Sequence, residues 1–248
     1  MSGRIDAISK DYALNNVIPV VLNYDEYIED LSNSDVFFEN MGDFLVIYKV
    51  ILNPTEINLG LDFKHKIPVS IDNEFLEKND ISYKELQISA LENLDKNIWS
   101  VNFGDLLVEN AIMNGEETCD LPALYLVSNN DKVYGANALL NKNILERFCD
   151  DFDSNDLYII PTSINDILVV DPASMDTSFI INIINDINTN KDLVDEDKDI
   201  LSNNLFVFNR QSGELNSIDK DNNLSLCFSF DDDGRYISLD NNTLKLQK

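Results

Sequence analysis

Apart from its carboxylates, this chain has few groups able to do chemistry. It carries one histidine, His65, three cysteines, Cys119, Cys149 and Cys227, and 45 aspartates and glutamates. A single imidazole excludes His-based zinc clusters and the H-E-x-x-H helix, which need at least two. A Ser–His–Asp triad would have to use His65, flanked by Lys64 and Lys66. Alternation places its side chain with Phe63 and Ile67, so a core or half-buried histidine is expected there. No G-x-S-x-G elbow accompanies it. With eight glycines the chain has neither a P-loop nor a G-x-G-x-x-G fingerprint, so phosphate cradling is unsupported.

The cysteines read as packing residues. Their count is odd, they lie far apart, and no C-x-x-C pair occurs, which argues against a disulfide framework and for a reducing compartment. Glu116 and Glu117 disfavour a thiolate at Cys119, Cys149 falls on an apolar helical stripe, and Cys227 follows Leu224 and Leu226 in a strand. Among the carboxylates, Asp219, Asp221 and Asn223 imitate the first ligands of an EF-hand loop. Leu224 then stands at the glycine position and Phe230 at the bidentate glutamate position, so the match fails. Asp231, Asp232, Asp233 and Gly234 read as a tight acidic turn, and Asp150, Asp151, Asp153 and Asp156 as a helix end entering a loop. Glycoside hydrolysis needs only two carboxylates, but nothing selects a pair, and one tryptophan is sparse for a sugar platform. No motif calls for a cofactor or a metal, and no catalytic residue is assigned. An enzyme built on carboxylates or a divalent ion is the alternative reading.

Charge is the strongest single property. Eighteen Lys and Arg against 45 acids leave a formal charge of −27, with arginine only at 4, 147, 210 and 235. Such a surface repels nucleic-acid phosphate and anionic membranes and attracts basic protein surfaces. Direct nucleic-acid binding and membrane association are therefore not expected. The start MSGRIDAISKDY lacks an apolar core, and no apolar stretch approaches the ~18 residues of a membrane span. A cytoplasmic location is expected.

The elements that must position these groups follow from periodicity. Val17–Leu22 predicts a strand, on a sheet edge because of Pro19. Tyr24, Tyr27, Ile28 and Leu31 predict a helix, and Val36–Leu52 favours a buried helix over a strand. Phe63–Ile71 predicts a strand, and Ser82 with Glu85 makes a capping box before a helix. Trp99–Ile112 is apolar and of open type, and residues 114–120 form a polar loop. Residues 121–140 predict two strands turning at Asn129–Asp131. A helix over Ile144–Phe152 precedes strands at Leu157–Ile160 and Asp166–Val170. Asp176 caps a helix whose Phe179, Ile180, Ile183, Ile184 and Ile187 share one face. Four short strands close the chain at Leu205–Asn209, Leu215–Ile218, Leu224–Phe230 and Tyr236–Leu239. The order predicts an α+β fold, with mixed or antiparallel sheets and packed amphipathic helices. At 248 residues it forms a single globular unit, with possible subdomains 1–115 and 121–248.

Several runs carry a family resemblance. YLVSNNDKVYGANALL, ILERFCDDF, LYIIPTSINDILVV and LSNNLFVFNRQSGEL, with VVLNYDEYIEDL and ISYKELQISALENL upstream, resemble an uncharacterised bacterial family. That family is a domain of unknown function from Gram-positive anaerobes and their mobile elements. Its pattern places a histidine after "SSI", where this chain has Asn165. The resemblance covers much of residues 20–215 and implies shared architecture without chemistry.

The resulting expectation is a non-enzymatic protein whose acids contact a basic partner. In its sharpest form they imitate a phosphate backbone and block a host nucleic-acid-binding defence protein. The candidate contact residues are Asp25, Glu26, Glu29 and Asp30, together with Asp192, Asp195, Glu196, Asp197 and Asp199.

Overall fold

The computed structural model describes residues 8–53, 65–115, 123–189 and 200–238. Two antiparallel sheets and seven α-helices make up the described fold, which is α+β as expected. In the first sheet, the long strand β3 (Phe44–Leu52) is central. Strand β1 (Val17–Asn23) pairs with one side of β3, and β2 (Phe38–Asn40) and β4 (Ile67–Ser70) lie end to end along the other. The second sheet holds eight strands: β5 (Ile98–Asn102), β6 (Leu124–Asn129), β7 (Asp156–Ile160), β8 (Ile167–Val170), β9 (Leu205–Asn209), β10 (Glu214–Ile218), β11 (Leu224–Phe230) and β12 (Tyr236–Ser238). Their order is β12-β11-β10-β9-β7-β8-β6-β5. The helices are α1 (Lys10–Asn16), α2 (Tyr24–Ser32), α3 (Asn73–Lys78), α4 (Tyr83–Asp95), α5 (Phe103–Asn114), α6 (Lys142–Asp151) and α7 (Thr177–Thr189).

Residues 36–52 are strands, not the buried helix expected. Gly42, at φ +75°, turns the chain after β2, and its N–H bonds Asn40 Oδ1 at 3.0 Å. From Phe44 to Leu52 nearly every side chain is buried, because β3 is covered on both faces. Burial on both faces erases the alternation that marks a strand. The β-branched residues Val46, Ile47, Val50 and Ile51 were the better guide.

A second correction concerns residues 130–140. After β6 the chain does not return as a strand. Lys132 and Tyr134 take φ of 54° and 62°, and Gly135–Leu140 form a buried 3-10 helix. Gly135 is obligatory here, since a Cβ would lie 2.3 Å from the Asn165 carbonyl oxygen and 2.4 Å from Ser128 Oγ. His65 is exposed rather than half-buried, because pairing in β4 starts only at Ile67. On α7, Phe179 is 57% exposed while Ile180, Ile181 and Ile184 are buried, so the buried stripe begins one position later than expected. Phe63, Pro54 and residues 116–120 with Cys119 lie outside the described residues.

Three local signals hold. Ser82 Oγ accepts the Glu85 N–H at 3.2 Å at the start of α4, and Asp176 Oδ1 accepts the Ser178 N–H at 2.9 Å before α7. Strand β1 is an edge, as Pro19 requires, and its outward carbonyls do not stay open. Asn93 Nδ2 from α4 donates to the Val17 carbonyl at 3.0 Å and also to that of Leu14, in α1, at 2.8 Å. Asn137 Nδ2 from the 3-10 helix donates to Pro19 O at 3.0 Å. Two carboxamides thus cover an edge that would otherwise template further pairing.

One core joins the sheets. Phe44 of β3 meets Phe206 of β9 and Phe228 of β11 edge-on, at centroid distances of 5.5 and 6.0 Å. Above it, the Asp43 carboxylate accepts from Ser202 Oγ at 3.2 Å, Asn204 Nδ2 at 2.7 Å and Ser217 Oγ at 3.2 Å. This acid ties the β2–β3 turn to the second sheet.

Candidate functional site

The acids proposed for partner contact divide into two groups. Asp25, Glu26, Glu29 and Asp30 are exposed on α2, at i, i+1, i+4 and i+5 of one face. None forms an ion pair among the described residues. Asn23 caps this helix through the Glu26 N–H at 3.0 Å, and acids in its first turn also suit the positive end of the helix dipole. Asp192, Asp195, Glu196, Asp197 and Asp199 lie outside the described residues.

Other carboxylates are occupied locally. Asp219 is held below its ordinary pKa by the Asn223 carboxamide and by the N–H groups of Asn223 and Asp221, so the EF-hand-like trio folds onto itself. Arg235 bonds Asp231 and Asp233 across the β11–β12 turn. Arg210 bonds Asp150, in the last turn of α6, at 2.5 Å. Burial pushes the Cys149 and Cys227 thiols up to about 11, which suits packing and not nucleophilic attack. Among the described residues, no group of three or more His, Cys, Asp or Glu could hold a metal ion.

A cleft of about 610 Å³ opens between the ends of α1 and α4, strand β4 and the loop from β6 to the 3-10 helix. That volume falls in the usual range for small-molecule sites. Seven of its seventeen lining residues are asparagines, and Lys66, Lys96 and His65 stand at it with one acid, Asp131. Asp131 is already paired with Lys66 at 2.8 Å. Most of the carboxamides spend their N–H groups inside the protein. Asn16, Asn93, Asn97, Asn129 and Asn137 all donate to backbone carbonyls. Asn16 and Asn97 accept no bond through Oδ1 among the described residues, and the buried Asn137 Oδ1 is also without a partner there. Asn16 and Asn97 thus offer open Oδ1 acceptors among the described residues, beside apolar Ile18, Ile51, Pro68 and Val133.

The loop that borders this cleft is held under strain. Tyr134 sits at φ 62°, a region costly for an aromatic residue. Asn165 Oδ1 accepts its N–H at 3.0 Å, and Lys49 Nζ lies 3.1 Å from its hydroxyl and 4.8 Å from its ring centroid. The Asn129 side chain both donates to the Val133 carbonyl, at 2.7 Å, and accepts its N–H, at 3.3 Å.

A second polar centre is buried where the two sheets meet. Glu39 of β2 is 3% exposed. It accepts the hydroxyls of Tyr83 at 2.5 Å and Tyr48 at 2.7 Å. The Tyr236 hydroxyl lies 2.6 Å from that of Tyr48, and Gln87 Nε2 donates to the Tyr83 hydroxyl at 2.8 Å and the Tyr236 carbonyl at 2.9 Å. Burial pushes Glu39 up to about 7, against the opposing pull of the Tyr83 and Tyr48 hydrogen bonds. Burial and the neighbouring Glu39 charge raise Tyr48, Tyr83 and Tyr236 as well. A hollow of about 280 Å³ lies against Glu39, Tyr83 and Gln87, with Lys84, Asp231 and Arg235 around it.

Residues 7–210 match the model of DUF5688, a family of unknown function. The chain belongs to DUF5688. No curated protein and no solved structure matches it. All the cleft-lining residues fall within the DUF5688 match, whereas Asp231, Arg235 and Tyr236 of the buried centre lie beyond it. The run SNNDKVYGAN, noted for its family resemblance, supplies Asn129, Asp131, Val133, Tyr134 and Asn137 to the cleft. Asn165, at the position where the resemblance suggested a histidine, is the acceptor that fixes Tyr134. Sequence reading passed over the cleft because its asparagines are spread over five segments. Glu39 carried no distinguishing signal, since Asp35, Asn40 and Asp43 stand within four residues of it.

Proposed function

We propose that this protein binds a small, polar, uncharged or anionic molecule in the asparagine-lined cleft. The supporting observation is a reversal of sign. Within a chain of charge −27, the described lining of this cleft carries two lysines, a histidine and a single acid already paired to lysine. Unused Oδ1 acceptors favour hydroxyl or amide N–H donors on the ligand, and Ile18, Ile51, Pro68 and Val133 favour a flat or ring-shaped body between them. Nucleosides and sugars fit that description by chemistry. The surrounding negative surface would exclude polyanions, so a large nucleic acid is disfavoured while a compact ligand is admitted.

Isotope-labelled protein titrated with panels of nucleosides and monosaccharides tests this reading. Saturable shifts confined to Asn16, Asn97, Tyr134 and their neighbours are expected for at least one class. A panel that leaves those signals unmoved at millimolar concentration would count against the cleft as a small-ligand site.

A second reading concerns protein contact, favoured by four exposed carboxylates on α2 that form no ion pair among the described residues. Here the acidic surface docks on a basic partner, in the sharpest form as a phosphate-backbone mimic of a nucleic-acid-binding protein, in a cytoplasmic setting. Host-lysate capture with stepwise salt, run beside an Asp25→Asn/Glu26→Gln/Glu29→Gln/Asp30→Asn variant, tests it. Salt-released nucleic-acid-binding proteins that the variant fails to hold are the expected result. Equal capture by both proteins would remove α2 from consideration.

A further inference from the structure

The Glu39 centre belongs to neither reading above, yet it joins four elements that the fold must hold together. Glu39 comes from β2, Tyr48 from β3, Tyr83 and Gln87 from α4, and Tyr236 from β12. Strand β12 is short. It pairs with β11 over three residues, and three further bonds tie it to this centre and its neighbour Asn40: Gln87 to the Tyr236 carbonyl, the Tyr236–Tyr48 hydroxyl pair, and Ser238 Oγ donating to Asn40 O at 2.5 Å.

We propose that Glu39 is a proton-operated latch, whose loss of a proton loosens β12 from α4 and the first sheet. The hydrogen-bond arrangement explains how. With both tyrosine hydroxyls donating to it, Glu39 is an acceptor on both oxygens, and no cation pairs with it among the described residues. Arg235, the nearest guanidinium around the hollow, is engaged by Asp231 and Asp233, and Lys84 is exposed. The charged form is thus buried with hydroxyl dipoles for company. Opening of β12 would admit water to it. On protonation, Glu39 can donate to the Tyr83 oxygen, which frees the Tyr83 hydrogen to turn toward the hollow.

The sign follows from linkage. A carboxyl at about 7 when closed and near 4.5 when hydrated binds more protons closed than open. The closed state is therefore favoured fully below 4.5 and progressively less as pH rises through 7. If opening fully hydrates Glu39, the opening constant rises about tenfold between pH 6 and 8 and levels off at about 300-fold.

Amide hydrogen exchange on the full chain reads this, with β12 protection taken relative to β7 and corrected for intrinsic rates. Protection of β12 should fall about tenfold from pH 6 to 8 in the wild type and stay level in Glu39→Gln. A carboxyl-carbon NMR titration of Glu39 in the wild type should give a midpoint near 7. The titration and the wild-type exchange series stand even if the substitution fails to fold. A midpoint near 4.5, or a neutral midpoint with β12 protection unchanged across that range, overturns the latch.

Discussion

The cleft and the buried centre solve opposite problems with the same polar economy. At the cleft, neutral carboxamides carry the polarity, so the site is open to solvent without adding to the −27 charge. At the sheet junction, an ionisable group is enclosed, two tyrosine hydroxyls donate to it, and Gln87 and Tyr236 hold those tyrosines in turn. The carboxamides of the cleft do not titrate, whereas the carboxyl at the junction has its proton affinity moved into the neutral range by burial. The described acidic residues thus include exposed ones such as those on α2, structural ones such as Asp43, and one buried acid, Glu39.

The comparison can be broken at the core that both regions share. Phe44→Ala should cost about 3–5 kcal/mol in urea unfolding, because its ring packs between the sheets and the vacated space cannot collapse. A loss below 1 kcal/mol would mean the sheets do not depend on that contact. The buried centre alone is sharpened by pH. The Glu39 contribution to stability is complete below 4.5, falls by about 3 kcal/mol as pH rises from there to 7, and levels off above. Urea unfolding at pH 5 and 8 should show that part of the decline in the wild type and not in Glu39→Gln. Tyr48→Phe takes one donor from Glu39 and the acceptor from Tyr236, and should cost about 1–3 kcal/mol, more at pH 8 than at pH 5. Equal cost at both values would show that Glu39 does not ionise in that interval. At the cleft, Asn165→Ala should cost about 1 kcal/mol by leaving the Tyr134 N–H without its acceptor, and should weaken any cleft ligand. Neutralising all four α2 acids should change stability by less than about 1 kcal/mol, with the cleft untouched.

Much of the second half was legible because its elements carry local signals. Strand β9 coincides with its sequence reading at both ends, and α4 and α7 begin at the side-chain caps that predicted them. Strand β3 was not, because a central strand buried on both faces has the hydrophobicity of a buried helix. The loop before Gly135 was not either, since left-handed Lys132 and Tyr134 carry no glycine to announce them. Both candidate sites were hidden for a related reason. Their residues come from segments far apart in sequence, so spacing along the chain carries no trace of them. The α2 acids, by contrast, were visible from spacing alone and are exposed together as it implied.

The central functional claim is that the amide-lined cleft holds a small polar ligand. Residue-resolved titration of the wild type against Asn97→Leu, with whichever nucleoside or sugar gives the strongest shifts, tests it most directly. The account predicts saturable shifts around Asn97 and Tyr134 and at least tenfold weaker binding in the variant. Shifts that centre elsewhere, or that persist unchanged with leucine at position 97, would contradict it.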